Sequence, residues 1–282
     1  EAMDEVQKII AQTDHQTQRP SVRAKINSWK ANPFEWASDY VYGIEADYRL
    51  VKTAKVSCFL NGDGAANIVH ADGLDHFIKS NDYKGKLKEV SREEEKDNAQ
   101  FDILVANPPY SVAAFKNNLK FGHESFELYD VVTDESSEIE CLFIERMKQL
   151  LKTGGWAGII LPSSILTNTG IYTRAREFIL KYFDIKAIAE FGPNTFMATN
   201  ITTVTLFLER RDNSHWKRID TSIKNFFNSP KESTVSGIEN AFIKYVKAVF
   251  GKLDFADYVS LVMKNPTVNM ENSELFREYK VW

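Results

Sequence analysis

The stretch "FDILVANPPY", residues 101–110, decides the reading of the fold. Its first part, Phe101 to Ala106, is an apolar run broken only by Asp102, too short for a helix and of the kind that parallel sheets cover on both faces. The run then stops at Asn107-Pro108-Pro109-Tyr110. Two successive prolines fix φ, remove two backbone donors and keep the residue before them extended. The side-chain oxygen of Asn107 and the neighbouring carbonyls therefore form a rigid set of acceptors. An arylamine fits such a set. Its lone pair is delocalised into the ring, and accepting both of its N–H bonds localises that pair on a tetrahedral nitrogen. Tyr110 adds a flat face on which a base can stack, worth about 1–3 kcal/mol. A plain proline turn explains the same four residues without any ligand.

Outward from this stretch, strands and helices alternate. Upstream, residues 1–12 carry Met3, Val6, Ile9 and Ile10 at helical spacing. Residues 13–38, with Pro20 and Pro33 as breakers, read as an irregular connection with at most a short helical turn. "DYVYGIE" (39–45) is a strand, residues 46–62 a helix stopped by Asn61-Gly62, and residues 66–70 of "ANIVHADGL" a second strand. Residues 79–100, centred on "REEEKD", read as a solvated loop. Downstream, residues 111–137 form a long polar loop, of a length common to lids and to disordered segments. A helix with a glycine stop follows ("SEIECLFIERMKQLLKTGG"), then the strand "WAGIILP", the helix "IYTRAREFILKYF" and the strands "IKAIAEF" and "ITTVTLFLER". The expected architecture is α/β, a doubly wound, mostly parallel sheet. Residues 1–210 form that domain, and 211–282 read as a C-terminal helical appendage without a motif of its own.

Composition narrows the function classes. The 282 residues, 43% hydrophobic, fill a proper core, and their apolar runs fall short of the roughly 20 residues of a membrane span. Cys58 and Cys141 stand far apart in no metal or CxxC pattern, and the five histidines show no HExxH spacing. A reducing, cytoplasmic setting is expected, with no structural metal. The net charge of −4 means that DNA contact needs a local patch or a partner to supply cations.

Ligands of open α/β sheets lie beyond the carboxyl ends of the strands. Two acids sit there besides the Asn107 turn. Glu45 ends a strand before a helix, where a carboxylate can take both hydroxyls of a nucleotide ribose, or simply favour the helix N-terminus. Asp72 can accept from an exocyclic amine, although Asp-Gly is also an ordinary turn. The glycines of "NGDGAAN" follow a helix rather than a strand and read as its stop, and His70 and His76 read as packing or capping residues.

At these residues the sequence resembles the amino-methylating S-adenosylmethionine-dependent methyltransferases, most closely the DNA adenine-N6 methyltransferases. "ANPPY" is similar to their catalytic motif, "VYGIE" to their acidic ribose-binding motif and "HADGL" to their adenine-side cofactor motif. Order and spacing resemble the modification subunits of type I restriction systems and related restriction-modification enzymes, over residues 1–210. The resemblance implies that Asn107, through its side-chain oxygen, and Pro108, through its carbonyl, accept from the target N6 amine, with Pro109 bracing the turn. It implies that Tyr110 stacks on the extruded adenine and that Phe196 closes its opposite side. Glu45 is implied at the cofactor ribose, and Asp72, Gly73 and Leu74 at its adenine. The implied partners are DNA and specificity and restriction subunits or domains. One departure stands out: none of the thirteen glycines matches the family's glycine-rich loop, and residues 1–12 resemble the helix that follows it. The expectation is a chain lacking an N-terminal portion that would also supply a central strand, with weak or absent cofactor binding until it is restored. Methylation of a protein glutamine or an RNA base amine, and a non-catalytic assembly subunit, are the alternative functions.

Overall fold

The computed structural model describes the whole chain except residues 1, 63–66, 78, 84–85, 88–97, 194, 196–200, 252, 275 and 278–282. The described chain divides into two compact units, Glu1–Leu180 with Asp184–Arg210, and Lys181–Phe183 with Arg211–Trp282.

The first unit opens with α1 (Ala2–Gln12), α2 (Pro20–Ala31) and α3 (Ala37–Tyr40), which lead into β1 (Tyr42–Glu45). Next come α4 (Tyr48–Leu60), β2 (Asn67–His70) and β3 (Phe101–Ala106). After the short α5 (Gly122–Ser125), the order is α6 (Glu140–Leu150), β4 (Leu151–Pro162), α7 (Ser164–Thr167), α8 (Ile171–Tyr182), β5 (Phe183–Phe191) and β6 (Thr203–Arg210). β1 and β2 pair in parallel, Tyr42 opposite Asn67 through Glu45 opposite His70. A second sheet has the order β3-β4-β6-β5, with β3 and β4 parallel and β6 antiparallel to β4. Parallel pairs joined by helices are the α/β arrangement that the strand and helix alternation demands. Asp47 begins α4 by accepting from the Arg49 N–H at 2.8 Å, and Gly62 at φ +88° follows its end.

Four expectations need correction. Pro20 does not break the segment 13–38; it opens α2 at the first helical position, where its missing N–H costs nothing. The helix before "WAGIILP" ends at Leu150, and the glycines following it lie in β4. Register explains this: Leu151 faces Phe101 but Trp156 faces Ile103, so residues 152–155 bulge. A Cβ on Gly155 would stand 2.9 Å from the Lys152 carbonyl oxygen, and Lys152 pairs with Asp102 across the bulge at 2.7 Å. Third, β3 is not covered on both faces. Among the described residues it is an edge strand whose Ile103 and Val105 are 73% and 84% exposed, and the described strands form two sheets. Fourth, residues 111–137 are packed, with Phe115, Phe126, Leu128 and Val132 buried.

The second unit consists of α9 (Asn213–Asn228), α10 (Ala241–Phe250), α11 (Phe255–Val262) and α12 (Val268–Glu271). Phe226 centres its core, stacked 4.0 Å from Phe242 and 6.2 Å from Tyr258. The Glu232 carboxylate accepts from the Phe242 and Ile243 N–H groups at 3.1 and 2.7 Å, filling the role of a cap for α10.

Candidate functional site

The Asn107 turn begins directly where β3 ends, at the carboxyl side of its parallel pairing with β4. Asn107 is exposed, Pro108 is buried and Tyr110 is half-buried. The Tyr110 hydroxyl donates to Asn107 Oδ1 at 2.9 Å. Burial raises the pKa of the phenol, and the Glu140 carboxylate adds to the rise. The chain leaves the turn through Ser111 at φ +53° and Ala114 at φ +52°, left-handed conformations that cost a non-glycine residue roughly 1–2 kcal/mol. Strain of this kind concentrates at functional sites.

Parallel pairing of β1 with β2 brings the other two candidate acids to one end of a sheet. Glu45 faces His70, and its carbonyl accepts from the Ala71 N–H at 3.1 Å, one residue before Asp72. One Glu45 oxygen accepts from the Asp47 N–H at 2.7 Å, the helix-start role that was the plainer reading, while Oε2 takes no hydrogen bond from the described residues. Asp72 accepts from the Leu74 N–H at 2.9 Å and so closes its own turn. Gly73 is there for close approach: a Cβ would lie 3.0 Å from the Phe143 ring. Leu74 is buried. Phe196 lies outside the described residues. His76 packs edge-on against Phe121, and Lys79 pairs with Glu124, so the loop after β2 meets the segment after the turn. Among the described residues no cluster of His, Cys, Asp and Glu is arranged to hold a metal, and no helix is long and apolar enough to cross a membrane.

The sequence reading missed the polar interior of α6. Glu140, Glu145, Arg146, Lys148 and Gln149 are all buried. The two Glu145 oxygens accept from the Glu127 and Leu128 N–H groups at 2.7 and 3.0 Å, and Gln149 donates to the Ser125 carbonyl at 2.6 Å. Arg146 donates to the Leu74 and Asp75 carbonyls at 3.0 and 2.9 Å. Glu140 accepts from the Tyr172 hydroxyl at 2.8 Å, while its second oxygen has no close hydrogen-bond partner among the described residues. Desolvation raises the Glu140 pKa. The one available signal was charge on every side of a helix that nonetheless had to pack.

Residues 39–196, more than half of the 282, match the family model of the Eco57I restriction-modification methylases. The chain belongs to the Eco57I restriction-modification methylase family. The matched span of this family contains β1 to β5, Glu45 at the end of β1, Asp72 just after β2, and the Asn107 turn. The type II restriction enzyme and methyltransferase RM.Eco57I of Escherichia coli is 28% identical over an alignment of 132 positions that covers 42% of this chain and 12% of that protein. The chain thus aligns with a small part of its curated Eco57I relative. Among solved structures, a modification subunit of a putative type I restriction enzyme from Vibrio vulnificus YJ016 is 20% identical over 70% of this chain and 36% of its own, with a TM-score of 0.47. A putative class I S-adenosylmethionine-dependent methyltransferase from Listeria monocytogenes is 21% identical over 74% of this chain and 60% of its own, with a TM-score of 0.46.

Proposed function

We propose that the chain is the methyl-transferring part of a DNA restriction-modification system, acting on the N6 amine of adenine with S-adenosylmethionine as donor. The observation that carries this reading is the exposed Asn107 at the end of β3, hydrogen-bonded to the half-buried Tyr110 and braced by two prolines. Family membership supports it.

Asn107 Oδ1 and the Pro108 carbonyl accept the two N–H bonds of the target amine, and Tyr110 stacks on the base. Bringing an adenine to this turn requires extruding it from the duplex, at a cost of a few kcal/mol that stacking and the amine contacts offset. The chain also carries residues that fit the adenosine end of the donor. Glu45 has an oxygen available for a ribose hydroxyl, and the Asp72-Gly73-Leu74 turn, anchored by the buried Leu74, lies beside it to line a purine. The donor, when bound, supplies a sulfonium-activated methyl group. Attack of the amine nitrogen on that methyl carbon, in line with the C–S bond, would form the N–C bond as the C–S bond breaks, releasing a neutral thioether, and the surplus proton on nitrogen would pass to solvent. Specificity and restriction functions are assigned to other domains or subunits, because the chain's net charge of −4 is ill suited to reading a duplex unaided.

The experiment is product analysis. Unmethylated duplex DNA, RNA and protein substrates are incubated with the chain and methyl-labelled S-adenosylmethionine in excess, and the modified residue is identified after digestion. The reading expects N6-methyladenine from DNA. Label in glutamine or in RNA would replace it with one of the alternative acceptors, and no saturable donor binding by the whole natural protein would favour an assembly role.

A further inference from the structure

Arg146 lies on the middle of α6 and is only 3% exposed, yet it carries a charge the proposed reaction does not use. Desolvation lowers its pKa to about 10, so the guanidinium remains a cation at neutral pH. Its Nη2 donates to the carbonyls of Leu74 and Asp75, and its guanidinium carbon sits 4.0 Å from the Phe77 ring centroid and 4.8 Å from that of Phe126. Phe77 belongs to the loop after β2, and Phe126 to the segment after the Asn107 turn.

The hydrogen bonding of that loop is divided. Its N–H groups are satisfied locally, Leu74 by the Asp72 side chain and Asp75 by the Asp72 carbonyl. Its carbonyls reach inward: that of Asp72 also accepts from the buried Tyr83 hydroxyl at 2.6 Å, and those of Leu74 and Asp75 accept from Arg146. The turn chemistry of Asp-Gly therefore sets the bend, while the interior donors set where the bend is held. A lysine cannot replace this arginine, because an ammonium lacks the flat face that lies against both rings while its edge donates to two carbonyls.

We infer that Arg146 is a positioning residue that holds residues 72–75 in place for the donor's adenine and joins this loop to the segment after the Asn107 turn, so that the two sides of the site are fixed as one piece. The adenine part of this inference rests on the proposed function; the joining of the two segments does not.

The test uses the 282-residue chain as wild type, Arg146→Lys and Phe126→Leu. Amide hydrogen exchange is followed over residues 72–80, 122–130 and 151–162, and each protein is titrated with S-adenosylmethionine. In Arg146→Lys, exchange should rise by about tenfold or more in the first two segments together and stay unchanged in 151–162, the pattern of a local opening. The dissociation constant for S-adenosylmethionine should rise by a similar factor. Phe126→Leu leaves both carbonyl contacts in place and should still loosen residues 72–77, which keeps the inference testable if Arg146→Lys fails to fold. Unchanged exchange in residues 72–77 in both variants overturns the inference, as does an equal rise in all three segments. Wild type that does not bind S-adenosylmethionine would overturn the adenine role in this chain, leaving exchange to decide the joining. Wild type that binds, with Arg146→Lys binding equally well, would overturn the adenine role alone.

Discussion

The Tyr110 hydroxyl donates to Asn107 Oδ1 at 2.9 Å, so the oxygen assigned to the target amine is already occupied by a neighbouring phenol. A neutral hydrogen bond of this kind contributes about 0.5–1.5 kcal/mol net. It orients the Asn107 amide before a base arrives and must be exchanged when one does.

Replacing Tyr110 with Phe removes that competition and keeps the stacking face. Transfer should stay within about tenfold of wild type, since a bond of at most ~1.5 kcal/mol is at stake. Tyr110→Ala loses the face as well, and methylation should fall by about 5- to 150-fold, the equivalent of 1–3 kcal/mol of base stacking. Steady-state rates on one DNA duplex distinguish the two. Equal losses in Phe and Ala would assign the work to the hydroxyl instead.

Glu140 predicts a pH dependence of stability. Desolvation holds its folded pKa above the ordinary carboxylate value. As pH rises from about 4, the unfolded chain therefore loses this proton first, and stability falls until the raised native pKa is passed. Glu140→Gln removes that contribution. Urea midpoints measured between acid and neutral pH should shift in favour of the Gln variant as pH increases, and parallel curves for the two proteins would refute the assignment.

Gly122 is buried where a Cβ would stand 2.2 and 2.4 Å from atoms of the Tyr129 ring. Gly122→Ala should destabilise the chain by about 1–3 kcal/mol, the usual cost of overpacking. The same change in a Tyr129→Ala background should cost much less, because the clash disappears with the ring. Chemical denaturation of the four proteins closes this cycle. Full additivity would mean that the ring turns away freely.

What the sequence made legible was set by short-range physics. The strand Phe101–Ala106 and its stop at Asn107 follow from an apolar run ended by prolines, and Tyr110 meets Asn107 because they are three residues apart. Glu45 and Asp72 come to one sheet end because consecutive strands joined by a helix pair in parallel. Pro20 misled because a proline both breaks a helix and begins one, and only the chain before it decides which. The glycines after Leu150 looked like a helix stop because a bulge and a stop ask the same freedom of the backbone. Arg146 and Glu145 were illegible for another reason. Charges on a helix read as solvated, and the Arg146 partners lie 71 and 72 residues away.

The most direct test of the central claim is the rate of methyl transfer by Asn107→Ala to unmethylated duplex DNA, with S-adenosylmethionine in excess. The side chain is exposed at a strand end, so the variant should fold as wild type does. Its rate should fall by about 10²–10³ or more, the loss seen when one preorganised hydrogen-bonding group is removed from a reacting centre. Transfer by the folded variant at the wild-type rate would contradict the account.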